Sequence, residues 1–229
     1  MFVIAGLGNP GPQYARNRHN FGFMVVRAFA EAFRAEPWRT KFQGETARCR
    51  VADTDVLLVC PTTFMNRSGE TVQAAMNFFR VSLSDLLVVH DELDLPFGTL
   101  RLKPGGGHAG HNGLRSIMQH LGEPGFMRMR CGIGRPQLGF VGDGADYVLS
   151  DFRTEEREAL PSIITKASDA LSLVLHRGFG EASKVLNTRP KPPKSPKSPP
   201  PSDQPSEPGI DQRNNPTQSN SRLQHRSTV

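Results

Sequence analysis

Residues 6–11 read GLGNPG, directly after the apolar run from Phe2 to Ala5. Letter for letter this satisfies G-x-G-x-x-G, the fingerprint of a strand that turns into a phosphate-binding helix. The neighbours of Gly11 argue against that reading. Pro10 and Pro12 flank it; proline has no N–H and pushes the preceding residue out of the α region, so phosphate donors are lost and helix entry is delayed. The acidic residue expected about 20 positions further on is also misplaced. The nearest candidate, Glu31, lies in AFAEAF inside a helical pattern, away from any strand end. GLGNPG therefore predicts a tight turn leading from a first strand into a functional loop, in a fold other than a dinucleotide-binding one.

Outward from this turn, residues 20–35 place Phe21, Met24, Val25, Ala28, Phe29, Ala32 and Phe33 on one helical face, ended by Pro37. TARCRVA and DVLLVC follow, joined around Asp53–Asp55. This reads as a hairpin, where a dinucleotide-binding unit would return with a parallel strand. Ser68 is placed to cap a helix carrying Val72, Ala75, Met76 and Phe79, and LLVVH (86–90) is a continuous apolar run suited to a central strand. TLRLK reads as a short edge strand, and PGGGHAGHNG as a glycine-rich loop before a helix capped by Asn112. MRMRCGI alternates, setting Met127, Met129 and Cys131 against Arg128 and Arg130. Residues 154–187 are helical in pattern, with breaks expected at Pro161 and near Gly178–Gly180. Helices interspersed with strands and hairpins indicate an α/β fold, a single three-layer α/β/α domain around a mixed central sheet.

Composition divides the 229 residues near position 188. The segment 189–229 holds ten of the nineteen prolines, no aromatic residue and a balance of seven Lys/Arg against three Asp/Glu. Such a Pro/Ser-rich, basic segment cannot bury enough surface to offset its ordering entropy, so a disordered tail is expected after a folded domain spanning 1–188. The tail carries +4 of the total +6, leaving the body nearly neutral. Any argument for nucleic acid therefore rests on where the arginines sit rather than on global charge. Three cysteines without a C-x-x-C pair, no basic leader and no apolar stretch approaching about 18 residues predict a soluble, cytoplasmic, reducing-compartment protein with no membrane partner.

Residues with chemical potential fall at strand ends and in the loops beyond them: Asn9 and His19, Asn66, His90 and Asp91, then His108, His111 and Asn112. Each alone has a plain structural use, as a helix cap or a satisfied histidine. Their recurrence at one kind of position favours a site. No G-x-S-x-G elbow is present, and Cys49, Cys60 and Cys131 all fall in or at the end of strands, which disfavours covalent acyl transfer. Two chemistries stay open at this point: a histidine general base activating water, or a metal held by His90, Asp91, His108 and His111. Arg16, Arg18, Arg101, Lys103, Arg115, Arg128, Arg130 and Arg135 gather near the same loops, as a phosphate track or a solvated charged face. Tyr14 and Phe64 are loop aromatics suited to stacking on a base or to packing.

Five blocks, GLGNPGPQYARNRHNFG, PTTFMNRSGE, HDELDLPFG, GGGHAGHNGLRSI and RCGIGRP, resemble in sequence order the signatures of bacterial peptidyl-tRNA hydrolase, over about residues 2–187. The resemblance implies hydrolysis of the ester joining a peptide to the 3′ ribose of tRNA, releasing tRNA for recycling. It implies His19 as general base and Asp91 as the carboxylate that orients it, with Asn9 completing the catalytic set by telling blocked from free α-amino groups. Asn66, Asn112, Met65 and His111 fall on the substrate side, Tyr14 and Phe64 on the tRNA end, and Lys103 and Arg130 on its phosphates. No metal or other cofactor is required by this scheme. Partners implied are the peptidyl-tRNA acceptor end with its 3′ CCA and stalled large ribosomal subunits, with the enzyme a monomer. The rival reading is a non-catalytic tRNA-binding protein on the same scaffold. Three positions depart from the family pattern: Ala109 for a glycine, Asn17 for a common threonine and Arg67 for an apolar residue.

Overall fold

A computed structural model describes residues 1–137 and 139–188; the expected disordered tail lies outside the described residues. Seven strands form one sheet: β1 (Phe2–Gly6), β2 (Arg39–Lys41), β3 (Gly44–Val51), β4 (Thr54–Pro61), β5 (Leu86–Glu92), β6 (Leu100–Pro104) and β7 (Met127–Gly132). Their order is β2-β3-β4-β1-β5-β7-β6. The inner four are parallel, whereas β2, β3 and β6 run against their neighbours. The expected hairpin is β3–β4, paired from Gly44–Pro61 to Val51–Thr54. The sheet is therefore mixed.

Side chains of β1 alternate across this sheet because strand residues point to opposite faces in turn. Ile4 enters a core with Phe21, Val25, Val26 and Phe29 of helix α1 (Phe21–Ala32), to which Leu160, Ala167 and Leu171 of helix α5 (Thr154–Asn187) add. Val3 and Ala5 enter the opposite core, with Val72, Ala75 and Met76 of α2 (Ser68–Phe79) and Leu114 and Ile117 of α3 (Asn112–Leu121). These two cores make the three layers. A short helix, α4 (Gly144–Val148), was not anticipated from sequence.

Three local expectations change. Ser68 does not cap α2: it is the first helical residue, and its hydroxyl donates to the Met65 carbonyl at 2.9 Å, because a 3₁₀ turn at Met65–Arg67 runs straight into the helix. Pro161 does not break α5. Only Gly178, at φ 79° and ψ 160°, leaves helical geometry; Pro161 and Arg157, whose carbonyl it cannot bond, both face solvent. Nor does Asn112 cap α3, as described below.

The glycines of the first turn serve close packing. A Cβ on Gly22 would lie 2.3 Å from the Val89 carbonyl oxygen and 2.4 Å from the Leu7 amide, and one on Gly6 would lie 2.5 Å from the Gly22 carbonyl oxygen. The start of α1 thus rests directly on the end of β1 and the middle of β5. Gly11 has φ 105° and leads into a 3₁₀ turn, Pro12–Tyr14, so α1 begins ten residues beyond it, as the two prolines require.

Candidate active site

The loop between β1 and α1 carries three of the sequence-predicted residues. Asn9 is buried. Its backbone N–H donates to Asn20 Oδ1 at 2.9 Å, its carbonyl accepts from Asn20 Nδ2 at 2.9 Å, and its side-chain oxygen accepts from the Met65 amide at 2.8 Å. Asn20, which sequence reasoning passed over, is therefore the partner that fixes Asn9. With Oδ1 committed to Met65, Asn9 keeps its Nδ2 donors for a ligand. Met65 packs its side chain in the core with Leu7 and Leu114. Tyr14 and Phe64 meet edge to face with ring centroids 6.4 Å apart, and Phe64 is 57% exposed. Asn66 is exposed on the same 3₁₀ turn as Met65.

His19 sits in the 3₁₀ turn Arg18–Asn20, and its Nδ1 lies 2.9 Å from Asp91 Oδ1 on β5. His111 Nε2 lies 3.1 Å from the same oxygen. His111 is also the true cap of α3: its Nδ1 accepts from the Gly113 and Leu114 amides at 3.1 and 3.4 Å. That acceptance places the His111 proton on Nε2, where it is donated to Asp91. Sequence could not separate His111 from Asn112 as the cap, because a neutral imidazole can accept amide hydrogen bonds as an asparagine oxygen does. Asn112 is left exposed at the cavity.

Burial alone would lower the His19 pKa; the charge and hydrogen bond of Asp91 outweigh it and hold the imidazole above its ordinary 6.5. Burial likewise works against Asp91 ionising, yet His19 and His111 together hold its carboxyl well below the usual carboxylate range. His90 behaves oppositely. Burial and the neighbouring His111 push it down to about 3, and its Nδ1–H donates to the Asp91 carbonyl at 2.7 Å. It is a neutral packing partner, with its ring 5.1 Å from that of His111.

The metal alternative named His90, Asp91, His108 and His111. His108 Nδ1 accepts from the Gly110 amide at 3.1 Å, and His90 Nδ1 donates to the Asp91 carbonyl, leaving its buried Nε2 without a partner; neither joins Asp91 and His111 in a cluster of ligand atoms. The cluster that does form is His19, Asp91 and His111, with candidate ligand atoms within 4.8 Å of one another. A His111 Nε2 that carries a proton has no lone pair for a metal, so the arrangement is a hydrogen-bonded triad.

A cavity of about 310 Å³ opens beside this triad. His19, Asp91, His111 and Asn112 form one side, Lys103 and Arg130 a basic side, and Gly144, Ala145 and Val148 of α4 an apolar wall. Asn9, Tyr14, Phe64 and Asn66 lie outside it, joined to His19 through Asn20 and the Met65 turn. The phosphate track is shorter than expected. Arg18 is buried against Glu156, and Arg128 donates to the carbonyls of Gly106 and Gly107 beneath the glycine-rich loop. Arg130 pairs with Glu92 at 2.8 Å, and Lys103 stays exposed. Of the departures, Ala109 adopts φ 45°, the left-handed conformation that glycine would take without strain. Arg67 pairs with Glu70 at 2.7 Å on the surface.

Residues 3–194 match the family described as Peptidyl-tRNA hydrolase. A peptidyl-tRNA hydrolase of Sorangium cellulosum is 55% identical over 192 residues, covering 84% of this chain and 86% of its own. One of Geobacter sp. is 45% identical over 187 residues, covering 82% and 98%. Among solved structures, the peptidyl-tRNA hydrolase of Acinetobacter baumannii superposes with a TM-score of 0.76 at 37% identity, over 82% of this chain and 94% of that one. A peptidyl-tRNA hydrolase complex with N-propanol gives a TM-score of 0.77 at 36% identity, over 84% and 97%. With most of its length matched in sequence and in fold, the chain belongs to the peptidyl-tRNA hydrolase family.

Proposed function

We propose that this chain hydrolyses the ester between a peptide, or an N-blocked aminoacyl group, and the 3′ ribose of tRNA, with His19 as general base. The observation that carries the assignment is the 2.9 Å contact from His19 Nδ1 to Asp91 Oδ1 in the wall of the cavity. Nδ1–H donation to the carboxylate leaves Nε2 unprotonated, ready to take a proton from an attacking water, and Asp91 stabilises the imidazolium that forms. Such a base supplies about 10²–10⁴ in rate. The amide groups of Asn9, Asn66 and Asn112 orient the acyl chain or donate to the developing oxyanion, each such donor contributing about 10²–10³. Asn9, held on three sides, reads the blocked α-amino group. Tyr14 and Phe64 stack on the 3′ end, while Lys103 and Arg130 take phosphates.

Ester cleavage by this scheme uses no metal. The binding-only alternative is not favoured, since the family is one of hydrolases, and the His19–Asp91 contact supports general-base chemistry. No helix among the described residues is long and apolar enough to cross a membrane; we place the enzyme in the cytoplasm as a monomer acting on peptidyl-tRNA shed from ribosomes, including stalled large subunits. Incubation with N-acetyl-aminoacyl-tRNA with and without EDTA tests the reading. Cleavage unaffected by EDTA and slowed by about 10²–10⁴ in His19→Ala is expected; wild-type turnover in that variant overturns it.

A further inference from the structure

The residue before His19 is a buried arginine, and its partners lie far along the chain. Arg18 and Glu156 are 3% and 5% exposed at their side chains and meet at 2.6 Å. The other arm of the guanidinium donates to Ser150 Oγ at 2.7 Å and to the Asp151 carbonyl at 2.6 Å. Its plane lies over the Tyr147 ring, 4.3 Å from the centroid. The backbone follows the same route. The Arg18 amide donates to the Ser150 carbonyl at 3.1 Å, and Asn17 pairs with Asp151 as an isolated β-bridge while its side-chain amide donates to the Leu149 carbonyl.

Segment 149–156 is the continuation of α4, whose Gly144, Ala145 and Val148 wall the cavity. One buried cation therefore ties the turn bearing His19 to the segment that follows this wall. As a stabilising device this is poor chemistry: two charges are desolvated, and an apolar pair of similar volume often does as well. What a forked guanidinium with several fixed acceptors supplies is a defined position. We propose that Arg18, through Glu156 and the 149–151 backbone, is the positioning residue of the catalytic turn, setting His19 against Asp91 and against the α4 wall. Asn17, where the family commonly has threonine, reinforces the same tie from this chain's own sequence. The inference rests on the reading of His19 as the base.

The test uses the full chain with Arg18→Lys, Glu156→Gln and the milder Asn17→Thr. For each variant, kcat and KM are measured on N-acetyl-aminoacyl-tRNA, and the His19 imidazole is titrated by NMR. Misplacement of a reacting group by about 1 Å costs up to about 100-fold, so Arg18→Lys and Glu156→Gln are expected to lose about 10- to 100-fold in kcat with KM little changed, and Asn17→Thr less. The His19 titration midpoint should fall in step, because a looser Asp91 contact lets burial dominate. Variants that melt earlier yet keep wild-type kcat and the wild-type His19 midpoint overturn the proposal, leaving the pair merely structural. Should Arg18→Lys not fold, the Glu156→Gln midpoint and kcat decide by the same criterion. The NMR midpoint reports on His19 placement whatever its chemical role, so failure of the base reading in His19→Ala is distinguishable from failure here.

Discussion

His19 Nδ1 and Asp91 Oδ1 lie 2.9 Å apart across 72 residues of chain, and the same oxygen receives His111. If His19 is the base we propose, His19→Ala costs about 10²–10⁴ in kcat with little change in KM. Asp91→Asn should cost a similar order, since a neutral amide cannot stabilise the imidazolium. Single-turnover assays on N-acetyl-aminoacyl-tRNA measure both. A loss confined to KM contradicts the assigned roles.

The pH dependence follows from the same pair. His19 must be neutral to act, and its pKa is raised above 6.5, so kcat/KM should rise through an apparent pKa above that value. Asp91→Asn should move this limb to lower pH. The stability contribution has the opposite sense. A raised histidine pKa adds stability that is fully present below 6.5 and is lost as pH rises through the folded value. The difference in melting temperature between wild type and His19→Ala should therefore shrink as pH rises above 6.5 and through the raised folded value.

His90 predicts acid sensitivity. Its pKa is pushed down to about 3, so its contribution is present above 6.5 and is lost as pH falls toward that value, the unfolded chain binding the proton more readily. His90→Asn, which keeps a donor for the Asp91 carbonyl, should flatten the fall in stability over this range. Equal pH slopes for the two proteins in urea titrations sink the idea.

Ala109 offers a test confined to the backbone. At φ 45° an alanine carries a cost of about 1 kcal/mol that glycine does not. Ala109→Gly, even with the added flexibility of the unfolded chain, should raise the melting temperature by up to about 4 °C. A lowered melting temperature counts against strain at this position.

Lys103 and Arg130 border the cavity. Lys103→Ala should weaken tRNA binding at every tRNA sequence and reduce the slope of log K against log salt by about 1. Arg130→Ala should do less, because Glu92 already holds part of its charge. An unchanged slope in Lys103→Ala removes it from the phosphate contacts.

Much of the sheet was readable from local pattern. Apolar alternation, the Asp53–Asp55 turn and the prolines around Gly11 determined the hairpin, the mixed sheet and the delayed start of α1, because strand period, turn chemistry and proline sterics act within a few residues. The motif blocks likewise marked His19, Asp91, Asn9 and Asn112 as residues of a site. Which of them touch was decided only by tertiary structure. Asn20 as the clamp on Asn9, His111 rather than Asn112 as the α3 cap, Met65 in the core, and Arg18 and Arg128 withdrawn from the phosphate track all depend on partners on other elements. A side chain's type sets which hydrogen bonds and charges it can offer, whereas burial and the fold choose which partner accepts them. The sequence alone therefore determined the scaffold and the inventory of chemical groups; the packing of β5, α3 and the 149–156 segment around one turn decided which of them meet and in which direction their pKa values move.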